Sequence, residues 1–421
     1  MPKKTAKKIL KKKSRNKKQK GKPAKYLTYE NLDTAGEVAV YYGFTPIHTP
    51  EIKKADLEKA RVFSHDDVAD KNLAATKDCE PPHLEEKIAI LRAYEEKGMS
   101  SLPQPVMLYY KGEPTHPYRK EHSKERKCGL EIIGTTKSIA EALLIETAIT
   151  ILREEGYKNV HVEINSIGDK ESINRFTREI TAYYRKNLHL LSAQCRQAFK
   201  KDVYGVLSCG HEKCIDIAKD APKPVSYLSE SSRTHFKEVL EYLETLEIPY
   251  TINGGIIGNR NYCSETLFEI KENSENEKEG RALAIGLRYD TLSKKIGMKR
   301  DAPGIGVKFS YKKIVSEKTK DKKILSPKIY FVQLGFGAKL KSLKVVEVLR
   351  QARIPILQSL NREKLIGQLA VAEKMKVPYL MLMGQKEAVE NSVIIRNMST
   401  RSQDTVSLNG LSDYLKKHKI C

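Results

Sequence analysis

The sequence predicts an α+β fold in which an antiparallel sheet is interrupted by helices and followed by a small α/β unit. Strand-like runs occur before residue 169 and return after residue 264. Between 169 and 245, apolar residues recur every three to four positions, which is the spacing of amphipathic helices. From 328 onwards, short apolar strands alternate with helical segments. Strands that are separated by a block of helices favour an α+β arrangement.

The length and composition predict a multidomain protein with real cores. A chain of 421 residues is too long for one ordinary core, so we expect two or three domains. Hydrophobic residues make up 40%, but no run of 18 apolar residues occurs, so we expect no membrane span. Seven cysteines, an odd number in a large chain, indicate no disulfide framework. A reducing, cytoplasmic setting fits this usage best.

The first 25 residues form a distinct basic tail. They hold thirteen Lys or Arg and no acid, which accounts for over half of the net charge of +23. Two alternatives are a solubilising tail and a nucleic-acid contact, and clustered lysines that release counterions from phosphate favour the second. The tail alone does not separate tRNA, ribosomal RNA and DNA. The lysines that we assign to RNA contact are Lys11, Lys12, Lys13, Lys17 and Lys18.

The elements of the first half follow from local patterns. Residues 30–43 have the spacing of an amphipathic helix, which Gly43 ends. Alternating or continuous apolar runs predict strands, and a polar, basic loop at 111–128 separates the first two. The predicted strands are 105–110, 129–134 and 159–165, and 138–155 is a predicted helix.

The second half resumes the sheet and then starts a new unit. Two amphipathic helices lie between 169 and 248, and Ser229 or Ser231 is the expected N-cap of the second. A charged stretch at 315–327 that ends in proline predicts a linker before a final α/β domain of ordinary size at 328–421. The strands that return before this linker are predicted at 265–270, 281–290 and 303–311.

Several segments resemble the histidyl-tRNA synthetases, a class II synthetase family, and they occur in the same order. "YYGFTPIHTPEI" is similar to the first class II motif, "GLRYDTLSKKIG" to the second specificity segment and "PGIGVKFSYKK" to the third motif. "HVEINSIGD" and "YLSESSRTHFKEVLEYLETL" resemble the borders of the insertion, and "VPYLMLMGQKEA" resembles part of the C-terminal domain. The resemblance covers about 27–421. It implies a class II core at 26–168 and 249–314, an insertion at 169–248 and an anticodon-binding-type domain at 328–421.

The resemblance also implies ligands and partners. An active member would use ATP and Mg²⁺, act on histidine and tRNA, and form a homodimer through the first motif. Glu131 matches the acid near ATP and the amino acid, and Glu85 matches the acid that binds the α-amino group. Tyr262 and Tyr289 match substrate-binding tyrosines. The alternative explanation for Glu131, Arg288 and both tyrosines is that they only hold the sheet together, and an ordinary surface acid is the alternative for Glu85.

Other positions depart from what the resemblance implies. The resemblance implies two arginines that contact ATP, but their positions hold Glu113 and Glu121 in this sequence. An alignment that shifts this loop would offer Arg119 or Arg126 instead. Lys313 stands where a third arginine is expected, and it keeps the positive charge but lacks the planar fork of arginine. Lys127 stands where a glutamine is expected in the amino-acid site, and its charge opposes an α-ammonium group.

The histidine-specific segment departs as well. It reads "GNRNYC", so Gly258 stands where an arginine is expected, and Arg260 is displaced by two residues. On a strand that displacement moves a side chain about 6–7 Å. Asn261 and Cys263 replace an aspartate and a tyrosine. We therefore expect no secure catalytic residue, with Lys313 and Arg260 as degenerate candidates.

The remaining signals are weaker. "CGHEKC" at 209–214 lacks a second ligand pair, so we expect no zinc and no other metal site. In the C-terminal domain, Arg350 and Arg396 are candidates for RNA contact, although a solvated surface explains either equally well.

Three functions compete at this stage. The first is a synthetase paralogue with weakened or lost aminoacylation that binds tRNA or another structured RNA. The second is an active, divergent histidine–tRNA ligase. The third is a protein like the regulatory subunit of ATP phosphoribosyltransferase, which normally lacks the C-terminal domain. The altered charge-stabilising positions favour the first, because losing one such contact can lower a rate about 10²–10³-fold.

Overall fold

A computed structural model describes residues 26–63, 82–118, 125–207, 211–273, 280–314 and 320–420. In this part of the chain the strands form an eight-stranded sheet, a five-stranded sheet and a two-stranded ribbon. The ribbon pairs β1 (Tyr26–Leu32) with β10 (Lys320–Leu325) in antiparallel orientation. The predicted α+β fold is confirmed.

The eight-stranded sheet forms the centre of the molecule. Its strand order is β2-β3-β4-β9-β8-β7-β5-β6, and its inner pairs are antiparallel, whereas β2 with β3 and β5 with β6 are parallel. The strands are β2 (Thr45–Ile47), β3 (Val106–Lys111), β4 (Arg126–Ile133), β5 (Val160–Gly168), β6 (Tyr250–Ile252), β7 (Ser264–Glu272), β8 (Ala282–Arg288) and β9 (Gly304–Tyr311).

Helices surround this sheet, and some of them lie in the chain between β5 and β6, which are neighbours in the sheet. The helices that precede β7 are α1 (Thr34–Tyr41), α2 (Lys54–Phe63), α3 (Leu84–Glu96), α4 (Ile139–Glu154), α5 (Lys170–Lys186), α6 (Ala193–Lys201), α7 (Glu212–Lys219) and α8 (Glu230–Thr245). A short α9 (Leu292–Lys295) lies between β8 and β9. Helices α5 to α8 thus fall between β5 and β6, where the sequence predicted a helical insertion.

The C-terminal domain is a second α/β layer. Its sheet has the order β12-β11-β13-β14-β15, with parallel pairs around β11 and antiparallel pairs around β14. Its elements are β11 (Ile329–Gln333), α10 (Phe336–Gln351), β12 (Ile356–Gln358), α11 (Leu365–Met375), β13 (Tyr379–Met383), α12 (Gln385–Val389), β14 (Ser392–Asn397), β15 (Gln403–Ser407) and α13 (Leu411–Lys417).

The two faces of the central sheet bury different cores. Successive side chains of a strand point to opposite faces, so Leu130 and Glu131 of β4 face in opposite directions. Leu130 belongs to a cluster shared with α1, α4, α8 and the C-terminal domain, and we name this side the back face. The face with Glu131 is covered by α3 and by the insertion, and we name it the front face.

Helix boundaries follow capping residues. Ser229 caps α8 by accepting a hydrogen bond from the Ser232 backbone N–H at 3.3 Å, so the first of the two predicted N-caps is confirmed. Asp33 caps α1 by accepting from the Gly36 N–H at 2.9 Å. The predicted helix over 30–43 is therefore too long: it starts at Thr34, and the residues before Asp33 form β1.

The predicted linker at 315–327 is partly a strand. Within it, β10 pairs with β1, and Tyr26 lies opposite Leu325. This pairing joins segments almost 300 residues apart, so the local charge pattern that predicted a linker carried no sign of it. The basic tail at 1–25 lies outside the described residues. None of the described helices is both long and apolar enough to cross a membrane.

Candidate functional site

The front face holds a buried carboxylate whose two oxygens are both occupied. Glu131 has no exposed surface. Its Oε1 accepts from Lys87 Nζ at 2.5 Å and from Tyr110 OH at 3.2 Å, and its Oε2 accepts from Tyr289 OH at 2.6 Å. Lys87 is also fully buried, and its ammonium lies 5.2 Å from the centre of the Tyr289 ring. Four side chains from different elements thus form a closed polar cluster, which we name the Glu131 cluster.

Local structure explains how the Glu131 cluster is assembled. Glu131 lies in the middle of β4, opposite Gly306 of β9. A Cβ atom at Gly306 would lie 1.9 Å from Glu131 Oε2, so only glycine leaves room for the carboxylate. Lys87 comes from the first turns of α3, and Tyr289 directly follows β8. Burial, followed by the charge of Glu131, raises the pKa of Tyr289 well above its usual value, so this hydroxyl donates.

A second group of paired charges lies beside the Glu131 cluster. Lys308 Nζ is 2.8 Å from Glu86 Oε1 and 3.0 Å from Glu113 Oε2, and Lys127 Nζ is 2.6 Å from Glu113 Oε1. Burial opposes the charge on Lys308, but Glu86 and Glu113 outweigh it and raise the pKa of Lys308. Burial likewise opposes the charge on Glu113, but the two lysines lower the pKa of Glu113. We name these four residues the Lys308 ladder.

The charges of these two groups cancel. Three lysines face three carboxylates, and every lysine lies within 3.0 Å of a carboxylate oxygen. Phosphoryl and adenylyl chemistry needs fixed positive charge that is directed at the developing negative charge. The front face therefore carries neutralised ion pairs, whereas phosphoryl or adenylyl transfer would need positive charges that no carboxylate of the chain neutralises. The six residues are Glu86, Lys87, Glu113, Lys127, Glu131 and Lys308.

A third buried network joins β8 to the insertion. The Arg288 guanidinium binds Glu141 of α4 through Nε at 2.7 Å and Nη2 at 2.5 Å, and neither side chain is exposed. His235 of α8 approaches the same carboxylate, with Nε2 2.6 Å from Oε1. Burial opposes ionisation of Glu141, but Arg288 and His235 lower the pKa of Glu141 to about 2. Burial also opposes protonation of His235, yet Glu141 raises the pKa of His235.

Several predicted site residues lie apart from Glu131. Arg126 is on the back face of β4, with Nη1 3.6 Å from Asp33 and 3.5 Å from Glu155, so the structure does not bring this predicted ATP contact to the front face. Glu85 is half-buried on α3, whereas its neighbours, Glu86 and Lys87, enter the front-face ion pairs.

The segment at 258–263, which the resemblance compares with a histidine-specific motif, faces the insertion. Arg260 Nη2 binds Asp202 at 2.8 Å, and its guanidinium lies 4.0 Å from the centre of the Tyr204 ring. These contacts hold Arg260 against the insertion, and its catalytic role stays a prediction. Tyr262 is buried, and Asn261 Nδ2 donates to the Phe63 carbonyl at 3.2 Å.

The other predicted positions are distributed as follows. Cys263 is buried, Gly258 has a φ of +64°, and Lys313 is half-buried two residues after β9. Arg396 is half-buried on β14. Predicted residues outside the described part are Lys11, Lys12, Lys13, Lys17, Lys18, Arg119 and Glu121.

Arg350 is committed to a contact between domains. It binds Glu347 through Nε at 2.6 Å and Glu154 of α4 through Nη1 at 3.1 Å, and only 13% of its side chain is exposed. The Arg350 guanidinium thus binds carboxylates of this chain, and its contact with RNA stays a prediction. Among the described residues, no group of three His, Cys, Asp or Glu side chains is arranged to hold a metal ion, and Cys209 lies outside them.

Sequence reasoning missed the residues that close the front face. Lys87 directly precedes the apolar run "IAIL" of a helix, and Lys308 lies within the apolar strand "PGIGVKFSY". A charge on the buried side of a helix or in the middle of a buried strand indicates a paired partner, because an unpaired buried charge is unfavourable. That signal was present in the sequence, but it did not identify which carboxylate each lysine would meet.

Comparisons with known proteins complete the description. Residues 328–418 match the family model described as "Anticodon binding domain". The chain is 29% identical over 383 residues to a histidine–tRNA ligase of Fervidobacterium nodosum, covering 88% of this chain and 89% of that protein. It is 27% identical over 390 residues to that of Bacillus subtilis, covering 90% and 92%. An apo S. aureus histidyl-tRNA synthetase superposes with a TM-score of 0.49 at 23% identity, covering 90% and 93%.

Proposed function

Because this chain is a member of the histidyl-tRNA synthetase family of class II aminoacyl-tRNA synthetases, we propose that it binds tRNA or tRNA-like RNA and that its ligase activity is weakened or lost. The single observation that carries the loss of activity is the buried Lys87–Glu131 ion pair. The matching C-terminal domain supports the RNA-binding half of the proposal.

The Glu131 cluster argues against amino-acid binding. A carboxylate that recognises a substrate must offer an accessible acceptor, but three side chains of this chain already donate to the two oxygens of Glu131, which has no exposed surface. A histidine α-ammonium group would have to displace Lys87, which has no exposed route to water. Removing a charged group from such a pair leaves an uncompensated buried charge, which is strongly unfavourable.

The Lys308 ladder argues against productive ATP binding. ATP and its Mg²⁺ need cations for the phosphates and free carboxylates for the metal, and here the nearby cations and carboxylates neutralise each other. The described residues therefore do not fit ATP in a catalytic arrangement. Lys313, which follows β9, is a candidate for a phosphate contact among the described residues, and a lysine lacks the bidentate fork of arginine.

Two other functions stay open to test. An active, divergent histidine–tRNA ligase would have to open the Glu131 cluster on substrate binding, and histidine-dependent pyrophosphate exchange distinguishes it from the proposed function. A role like that of the regulatory subunit of ATP phosphoribosyltransferase requires co-purification with that enzyme, and the anticodon-binding domain at 328–418 counts against it. A homodimer and a cytoplasmic location belong to the proposal as properties implied by the family.

The basic tail gives a direct test of RNA binding. Deleting residues 1–25 removes thirteen positive charges. We expect the truncated protein to bind tRNA more weakly and with a shallower salt dependence, because each phosphate contact adds about 0.9 to the slope of log K against log salt in duplex nucleic acid. The measurement is tRNA affinity between 50 and about 300 mM KCl for both proteins. An unchanged slope would reject an RNA-binding role for the tail.

A further inference from the structure

A buried polar contact joins the class II core to the C-terminal domain. Tyr42, at the end of α1, is 1% exposed, and its hydroxyl meets two carboxylates from different domains. It lies 2.6 Å from Glu347 Oε2 on α10 and 3.2 Å from Glu146 Oε1 on α4. Thr150 Oγ1 of α4 is also 3.2 Å away. One hydroxyl proton thus faces three oxygen atoms.

The bonds of Glu347 identify it as the ionised partner. Its Oε2 accepts from Arg350 Nε at 2.6 Å and its Oε1 from Arg350 Nη2 at 2.7 Å, the bidentate geometry of a guanidinium–carboxylate pair. Gln351 Nε2 adds a donor to Oε1 at 2.8 Å. The Tyr42 contact to Glu347 is the shortest that the hydroxyl makes, so the single Tyr42 proton belongs to that bond.

Counting protons then fixes the state of Glu146. A tyrosine hydroxyl has one donor and otherwise accepts. With its proton directed to Glu347, the Tyr42 oxygen has only acceptor capacity left for Glu146. An ionised carboxylate accepts only, so two acceptors would face each other at 3.2 Å in a site where Glu146 is 6% exposed. A protonated Glu146 donates to the Tyr42 oxygen and removes this conflict.

We propose that Glu146 is a neutral carboxylic acid in the folded protein and that it fastens the C-terminal domain to the core through Tyr42 and Glu347. Its ionisation breaks the chain of hydrogen bonds from α4 through Tyr42 to α10 and weakens the contact between the domains. The contact is thus a protonation-sensitive latch, and it does not depend on whether the front face is active.

The surroundings of Glu146 support a neutral acid. Burial raises the pKa of Glu146, and the charge of Glu347 raises it further. Arg153 on α4 and Arg350 on α10 act in the opposite direction, as does the Tyr42 hydroxyl, but the net direction is upward. The charged partner of Arg350 on α4 is Glu154. Glu347 differs: burial opposes its charge, but hydrogen bonds from Arg350 and Tyr42 lower the pKa of Glu347.

The sign of the pH dependence follows from the raised pKa of Glu146. The folded state retains the Glu146 proton after the unfolded state has lost it, so the latch contributes fully below about pH 4.5, the unfolded pKa. Its contribution falls as the pH rises through the folded pKa of Glu146. Within this window, one proton changes the unfolding equilibrium constant by up to about tenfold per pH unit.

The test compares the full-length protein with Glu146→Gln, which keeps a neutral donor of similar shape. Urea unfolding from pH 4.5 to 8.5 should show wild type losing stability relative to Glu146→Gln, by up to about tenfold per pH unit in the unfolding constant. Amide hydrogen exchange, corrected for intrinsic rates, should show the added opening at α10. Glu58→Gln, at an exposed position of α2, is the control, and its stability should depend on pH as that of wild type does.

A second variant separates the latch from a general loss of stability. Glu347→Gln removes the charge that raises the pKa of Glu146, so we expect the pH transition to move to lower pH. A ratio of unfolding constants between wild type and Glu146→Gln that does not change with pH would overturn the proposal. So would the opposite slope, because it would mean that folded Glu146 is ionised. Exchange that increases uniformly along the chain would likewise contradict a latch at α10.

Discussion

Replacing Lys87 by methionine should lower the free energy of unfolding by about 3–5 kcal/mol, because it leaves the Glu131 carboxyl group without its cationic partner in a site without exposed surface. Methionine keeps most of the side-chain volume, so the loss reports the missing charge and not a cavity. Chemical unfolding, followed by circular dichroism at pH 7, measures the change.

The double variant Lys87→Met/Glu131→Gln tests the cause. It removes both charges, so it should recover most of the stability that the single variant loses, since a buried ion pair contributes little net stability. Lys53→Met is the matched control, because Lys53 pairs with Glu96 at 3.0 Å but both side chains are about half exposed. It should change stability by less than about 1 kcal/mol. A double variant no more stable than Lys87→Met would contradict the buried-charge account.

Replacing Arg288 by methionine should have an effect of similar size, about 3–5 kcal/mol. Glu141 would lose a bidentate partner in a site where both side chains are fully buried, and it would keep only its contact with His235 among the ion pairs of the described residues. Chemical unfolding at pH 7 again measures the loss. Arg175→Met is the control, because Arg175 and Glu171 form an exposed pair within α5.

The Arg288 prediction also has an acid signature. The pKa of Glu141 lies near 2, below its unfolded value of about 4.5, so its ion pairs stabilise the protein above pH 4.5 and lose this effect as the pH falls toward 2. Arg288→Met should therefore lose less stability than wild type over that interval. Equal losses in both proteins would show that Glu141 is not held ionised by Arg288.

Local patterns predicted most of the fold. The helical insertion, the strands on either side of it and the final α/β unit follow from periodicity, because each depends on burial of one face of one element. The β1–β10 ribbon did not follow, since it depends on pairing between the two ends of a long segment. Short strands such as β2 and β15 carry too few residues for a period to be visible.

The site was predicted in part. Glu131 and Tyr289 were identified from the resemblance, and the structure joins them by a hydrogen bond. The resemblance also assigned Glu85, but the turn of α3 directs Glu86 and Lys87 to the front face. A one-residue change on a helix rotates the side chain by about 100°, so a loose match cannot fix which acid points inward. Arg126 lies on the opposite face of β4 from Glu131, because neighbouring residues of a strand alternate faces, and its contact with ATP stays a prediction.

Our central proposal is that the closed front face weakens or abolishes the activation of histidine. Its most direct test is histidine-dependent exchange of labelled pyrophosphate into ATP by the full-length protein, with the Bacillus subtilis histidine–tRNA ligase as the positive control. We predict that histidine leaves the exchange rate at the level of the enzyme-free blank while the control exchanges. Reproducible exchange above the blank that requires histidine would contradict this account and would establish an active ligase.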